Sequence, residues 1–145
     1  AQRPEFDDYA AQIKKNAKAL AEGLQEKGLR LVSGGTDNHM VLIDLRDEDI
    51  TGKKGEALLE EIGIVSNKNS VPYDPESPMV TSGVRLGTPA LTTRGMEETH
   101  LREIGEMIGE RLKNPEDTGI KNRHDERVSE LLESFPLYRN SEVEY

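Results

Sequence analysis

The stretch Asn67-Lys-Asn-Ser-Val-Pro-Tyr-Asp-Pro-Glu-Ser-Pro-Met-Val-Thr-Ser-Gly-Val-Arg-Leu-Gly-Thr-Pro-Ala-Leu-Thr-Thr-Arg94 interrupts a chain that is otherwise patterned for amphipathic helices and short strands. Pro72, Pro75, Pro78 and Pro89 set it apart from helix, and it reads as a proline-rich loop running into a strand over residues 81–88. Alternation along that strand puts Val84 and Leu86 on one face and Gly83, Arg85 and Gly87 on the other. Loops carried by a regular scaffold are where chemistry concentrates, so this segment is the first place to look for function.

Working outward, residues 4–27 read as a helix that starts at Pro4 and stops at Gly28. Phe6, Tyr9, Ile13, Ala17, Leu20 and Leu24 make its apolar face, with Lys14, Lys15 and Lys18 on the other side. Residues 29–33 and 39–45 read as two strands joined at a Gly34-Gly-Thr-Asp37 turn, most simply an antiparallel pair. Thr51 caps a helix to about Ile62, with Ala57, Leu58 and Ile62 turned inward and Gly63 ending it. After residue 94 a helix begins at Thr93 or Gly95, with Glu97 and Glu98 in its first turn and Leu101, Ile104, Ile108 and Leu112 as its stripe. Residues 114–119 read as a turn. A last helix is predicted from about His124 to Ser134, carrying Val128, Leu131, Leu132 and Phe135 and ended by Pro136. The expected fold is α+β, a small antiparallel sheet of about three strands covered by helices.

The totals fit one domain of 145 residues. With 34% hydrophobic and 32% charged residues, no Trp and two Phe, its core must be aliphatic. A net charge of −9 without a Lys/Arg cluster argues against a nucleic-acid partner. Absence of cysteine excludes disulfides and thiol ligands and is compatible with a cytoplasmic protein. No apolar run approaches the roughly 18 residues of a membrane span. The chain begins at Ala1, almost directly in a helix, and is expected to be a piece of a longer polypeptide.

Arg85 is the leading candidate for chemistry. It is either a strand arginine on a simply wet face or, since its same-face neighbours are glycines and a ligand can approach closely, a planar guanidinium that reads a carboxylate through two parallel hydrogen bonds. Arg94 is either a second such group or a strut to a nearby carbonyl. Asn67, Asn69 and Ser70 carry groups that read heterocycles, or else bond the local turn. Ser33-Gly-Gly-Thr36 is faintly like a phosphate cradle but lacks the following lysine, and a hairpin corner is the simpler reading. His39, His100 and His124 share no ligand spacing, so no metal site is expected. Asp44 is either a buried, paired carboxylate or a strand-end group in solvent. No complete catalytic set is visible.

Ser33-Gly-Gly-Thr-Asp-Asn-His39, Asn67-Lys-Asn-Ser-Val-Pro72, Ser77-Pro78 and Thr81-Ser-Gly-Val-Arg-Leu-Gly-Thr-Pro-Ala90, in that order, resemble the C-terminal part of serine hydroxymethyltransferase. The resemblance runs from Asn16-Ala-Lys-Ala19 to Phe135-Pro-Leu-Tyr138. It implies the C-terminal small domain of a fold-type I transferase that uses pyridoxal phosphate and tetrahydrofolate. Such an enzyme interconverts serine and glycine and forms 5,10-methylenetetrahydrofolate. It further implies that Arg85 binds the substrate carboxylate, Asn69 contacts the pteridine, and Ser77, Pro78 and Met79 line the folate site. Met79 stands where many relatives have Phe. Arg94 matches an arginine that supports the site. Residues 1–28 would be the connecting helix, 29–138 the domain and 139–145 a frayed tail. The resemblance places the cofactor lysine, the aspartate and histidine that hold its ring, and the tyrosine and glutamate facing the folate in an upstream large domain. The chain alone is therefore expected to be inactive, its catalytic groups supplied by the rest of a homodimeric or larger cytoplasmic parent. The alternative is a free-standing, non-catalytic module for binding a small molecule or a protein.

Overall fold

A computed structural model describes residues 4–32 and 40–136. The expected turn at residues 34–37, the end of the strand before it at Ser33, His39, the tail at 139–145 and the inward face of Phe6 lie outside the described residues. Helix α1 covers Pro4–Glu26, strand β1 Arg30–Leu31, strand β2 Met40–Asp44 and helix α2 Gly52–Glu60. Strands β3 (Asn67–Asn69) and β4 (Gly83–Gly87) come next, then helices α3 (Pro89–Thr93), α4 (Glu98–Lys113) and α5 (Thr118–Ser134). The four strands form one antiparallel sheet in the order β1-β2-β4-β3. The fold is α+β, as its sequence pattern implies, with one strand more than about three. None of the helices described is long and apolar enough to cross a membrane.

The sheet has two unlike faces. Leu31, Val41, Ile43, Val84 and Leu86 point inward and are at most 5% exposed. They meet Leu58, Leu59 and Ile62 of the α2 region and Leu101, Ile104, Ile108 and Leu112 of α4 in one aliphatic core. Leu59, not Ala57, is the second inward residue beside Leu58 on α2: Ala57 is exposed, because the helix turns its Gly55–Leu58–Leu59 face to the sheet. Thr51 caps α2 by accepting from the Lys54 amide at 3.1 Å.

Helices α1 and α4 approach backbone to backbone. A Cβ on Gly105 would lie 2.5 Å from the Leu20 carbonyl oxygen, and one on Gly23 2.3 Å from that of Arg102. Only glycine fits at either place. The apolar residues of α1 from Ala17 to Leu24 are thereby covered within the chain itself.

Two helix starts differ from their sequence-based expectation, and one short helix is additional. Residues 89–93 form a separate short helix held by Thr92 N–H to the Thr88 carbonyl, so α4 starts only after Glu97. Glu97 is the residue that caps α4, and its N–H donates to Nδ1 of His100 at 3.0 Å. Helix α5 starts at Thr118, well before His124, because Asp117 accepts from the Ile120 amide at 3.0 Å and so closes its first turn.

Candidate functional site on the outer face of the sheet

Cross-strand register assembles the site. Asn67 and Leu42 lie directly opposite Arg85 on either side, and Asn69 and Asp44 lie opposite Gly83. Directly opposed residues share a face, so Asn67, Asn69 and Arg85 stand together on the outer side, away from the core. Strand β3, whose sequence reads as part of a loop, brings the two asparagines alongside Arg85.

Arg85 is exposed, and among the described residues it is the one arginine whose side chain makes no hydrogen bond or ion pair. Every other described arginine is engaged. Arg30 pairs with Asp47, Arg46 with Asp44, and Arg102 with Glu22 and Glu26. Arg111 pairs with Glu61, Arg123 with Glu110, and Arg127 with Glu103 and Glu130. Arg94 donates to the Phe135 carbonyl at 2.9 Å, tying the start of the helical layer to the end of α5. In a protein with so many carboxylates, leaving one exposed guanidinium unengaged keeps five donors available to an external acceptor.

The two glycines beside Arg85 have different reasons. A Cβ on Gly83 would fall 2.7 Å from both the Ile43 carbonyl oxygen and Cγ1 of Val71, so this position is closed by packing. At Gly87 the nearest obstacle is the Met40 sulfur at 3.0 Å, the end of a flexible side chain. The Gly87 side of Arg85 is therefore bounded by a side chain that can move, and the Gly83 side by packed atoms.

Asp44 is 3% exposed and paired: its carboxylate accepts from Nε and Nη2 of Arg46 at 3.0 and 2.6 Å. Those hydrogen bonds outweigh burial and hold its carboxyl below the usual range. Asn69 donates to the Ser70 carbonyl at 2.9 Å, a local bond that orients its amide. Ser77, Pro78 and Met79 are exposed, Met79 at 75%, on the loop that rises from β3 and returns to β4.

That loop is organised by Asp74, which sequence reasoning passed over. Its Oδ1 accepts from Glu76 N–H at 2.8 Å and Ser82 Oγ–H at 2.7 Å. Its Oδ2 accepts from Val71 N–H at 3.1 Å and Ser82 N–H at 2.8 Å. The bond to Glu76, two residues on, was the available signal, since an aspartate before a proline-rich turn commonly bonds its own backbone there. The bonds to Val71 and Ser82 could not be read from spacing.

The two described histidines lie elsewhere. His100 packs edge-on against Phe135 at 4.5 Å between ring centres, and His124 is buried between α4 and α5 beside Glu110. A cavity of about 330 Å³ on the inner side is bordered by Leu86, Leu91, Ile104 and Leu131 among others. Its lining is mainly apolar but includes Arg94, and Arg85 is not part of it.

The sequence profile of the serine hydroxymethyltransferase family matches residues 1–108. The chain is 51% identical over 141 residues to the serine hydroxymethyltransferase of Nostoc sp. (strain PCC 7120 / SAG 25.82 / UTEX 2576), covering 97% of this chain and 33% of that protein. It is 53% identical over 139 residues to the serine hydroxymethyltransferase of Prochlorococcus marinus (strain MIT 9303), covering 96% and 33%. Against that of strain MIT 9301 the identity is 54% over 138 residues, covering 95% and 33%. The chain spans about a third of the length of the curated relatives it matches. On a profile match over most of its residues and identities above one half, the chain belongs to the serine hydroxymethyltransferase family, a family of transferases.

Proposed function

We propose that this chain is the C-terminal part of a pyridoxal phosphate- and tetrahydrofolate-dependent enzyme. That enzyme interconverts serine and glycine with formation of 5,10-methylenetetrahydrofolate. In this reading residues 1–28 connect to a large domain, residues 29–138 form the small domain and residues 139–145 are a tail. The whole enzyme is a cytoplasmic homodimer or larger assembly, and this part is inactive alone.

The observation that carries the reading is the unengaged guanidinium of Arg85 on an open sheet face, between the asparagine pair and Gly87. It suits the carboxylate of an amino acid carried by the cofactor. The cofactor's own lysine and ring-holding groups belong to the rest of the enzyme. Pyridoxal phosphate, when bound, supplies the electron sink for breaking a bond at the amino acid's Cα. Arg85 contributes orientation: two charge-assisted hydrogen bonds fix the carboxylate in position and in plane, and so fix which Cα bond is presented. Asn69, with Ser77, Pro78 and Met79, supplies one wall for the pteridine, and Arg94 supports the site through its bond to Phe135.

In the full-length enzyme, Arg85→Ala should lower kcat/KM for serine by about a hundredfold or more while cofactor absorbance stays intact. Unchanged serine kinetics would remove the assigned role. The isolated chain mixed with pyridoxal phosphate should give no stable protein-bound absorbance band, and the appearance of one would return cofactor binding to this part.

A further inference from the structure

The loop over residues 70–82 has no ladder of its own, yet its course is closely determined. Two residues within it, Tyr73 and Thr81, have left-handed backbone conformations, with φ of 57° and 60°. Thr81 is β-branched, so this conformation is strained and persists only where surrounding bonds over-determine it. Tyr73 directly precedes Asp74, and Thr81 directly precedes Ser82, the residue that gives Asp74 two of its four hydrogen bonds. An ionised carboxylate has about four acceptor sites, and here all four are used.

Ser82 is fixed from the other side as well, its carbonyl accepting from Leu45 N–H at 2.8 Å. Between Asp74 and Ser82, the Ser77 carbonyl accepts from Val80 and Thr81 N–H at 3.0 and 2.8 Å. The Val80 and Thr81 carbonyls in turn accept from the first amides of α2, those of Lys53 and Gly52, both at 3.0 Å. Residues 77–79 are thus an exposed stretch of a loop whose entry and exit meet at a single carboxylate.

We infer that Asp74 is a positioning residue: by joining Val71 to Ser82 it fixes residues 77–79 relative to β3 and β4, the strands that carry Asn69 and Arg85. The folate is thereby gripped in one orientation toward the amino acid. The inference rests on the proposed folate role of this loop. It separates two halves of the site by how each is supported. Arg85 sits on β4, which is hydrogen-bonded to β2 on one side and β3 on the other, so its place does not depend on Asp74. Residues 77–79 depend on it through Glu76 and Ser82, which flank them. Burial acts to raise the Asp74 pKa, but the hydrogen bonds from Glu76, Ser82 and Val71 prevail and lower it to about 2, so the clamp stays ionised throughout the working range.

The test uses the full-length enzyme. Asp74→Asn keeps the size of the side chain but turns an NH2 group toward backbone N–H donors. It should raise KM for tetrahydrofolate about tenfold. Cofactor absorbance and the affinity for glycine measured without folate should change less than about twofold. Ser82→Ala removes one of the four donors and should shift the folate KM in the same direction by about threefold, which keeps the test available if Asp74→Asn does not fold. An unchanged folate KM in both variants, or in Ser82→Ala where it alone folds, overturns the inference. So does a loss of glycine affinity as large as the loss for folate, since a general structural collapse would give that result. Asn69→Ala is measured alongside. If it raises the folate KM and Asp74→Asn does not, the clamp alone is refuted. If neither changes it, the folate reading of the loop falls, and the clamp with it.

Discussion

The two sides of the sheet are built by different physics. On the inner side, α1 and α4 touch backbone to backbone at Gly23 and Gly105, over a core of aliphatic side chains with exposures near zero. On the outer side there is little to bury. Order comes there from strand pairing, from the Asp44–Arg46 pair and from one carboxylate that gathers a loop. Apolar packing is non-directional and sums over many residues, whereas the outer face rests on a few directional bonds. Stability should therefore be lost mainly through inner-side changes, and ligand selectivity through outer-side changes.

The severest break of that division is Gly105→Val. Its Cβ would collide with the Leu20 carbonyl oxygen at 2.5 Å and the Leu24 nitrogen at 3.1 Å, both backbone atoms that cannot swing aside. A loss of about 3 kcal/mol or more is expected, seen as a large fall in Tm of the chain. Met79→Ala makes the contrast on the outer side. Met79 is 75% exposed, so thermal stability should move by less than about 0.5 kcal/mol. If Gly105→Val leaves Tm unchanged, the close approach of α1 and α4 does not exist as described. If Met79→Ala costs as much as a core change, the outer loop is no mere carrier of ligand contacts.

Thr51→Ala tests a point where the two sides meet. It removes the side-chain cap of α2 at 3.1 Å, while the next two amides of that helix, at Gly52 and Lys53, bond the carbonyls of Thr81 and Val80. A cost of about 1 kcal/mol is expected from denaturant unfolding. Hydrogen exchange at the Val80 and Thr81 amides should rise with it, because the loop leans on the same helix start.

The sequence made the inner side legible and left much of the outer side obscure, for identifiable reasons. Leu20 and Leu24 on α1, and Leu101, Ile104, Ile108 and Leu112 on α4, recur at helical spacing, and periodicity needs no knowledge of partners. Strand β3 is Asn-Lys-Asn, with no apolar alternation at all; it is a strand because β4 offers an edge to pair with. The start of α5 was hidden because residues 114–119, with their Pro and Gly, imitate a turn until Asp117 is seen to cap a helix from Thr118. Arg85 could be singled out from its glycine neighbours, but not its freedom from partners. That property depends on where every other carboxylate in the fold has gone. Asp74 was missed on the same grounds, since two of its four donors come from a residue eight positions away.

The mildest expected effect concerns His124, an inner-side group with outer-side character. It is 3% exposed between α4 and α5, with Nε2 2.7 Å from Glu110 Oε1 and Nδ1 without a partner among the described residues. Since a carboxylate only accepts, the neutral ring carries its proton on Nε2 and leaves a bare lone pair on Nδ1. Protonation would add a buried N–H with nothing to receive it. Burial pushes the His124 pKa down; Glu110 pulls it up, and Arg123 and Arg111 push it down further, with a lowered value as the outcome. The unpartnered Nδ1 is in keeping with that direction. A histidine whose pKa is lower folded than unfolded binds more protons in the unfolded chain. Its stabilising contribution is therefore complete above the ordinary histidine pKa near 6.5 and is lost as pH falls below it toward the folded value. Unfolding free energy measured in denaturant should decline over that interval in the natural chain and decline less in His124→Gln, whose amide does not titrate. An identical pH dependence in the two would mean that Glu110 keeps the ring as readily protonated folded as unfolded. The helical layer would then contain an ion pair where the geometry indicates a neutral hydrogen bond.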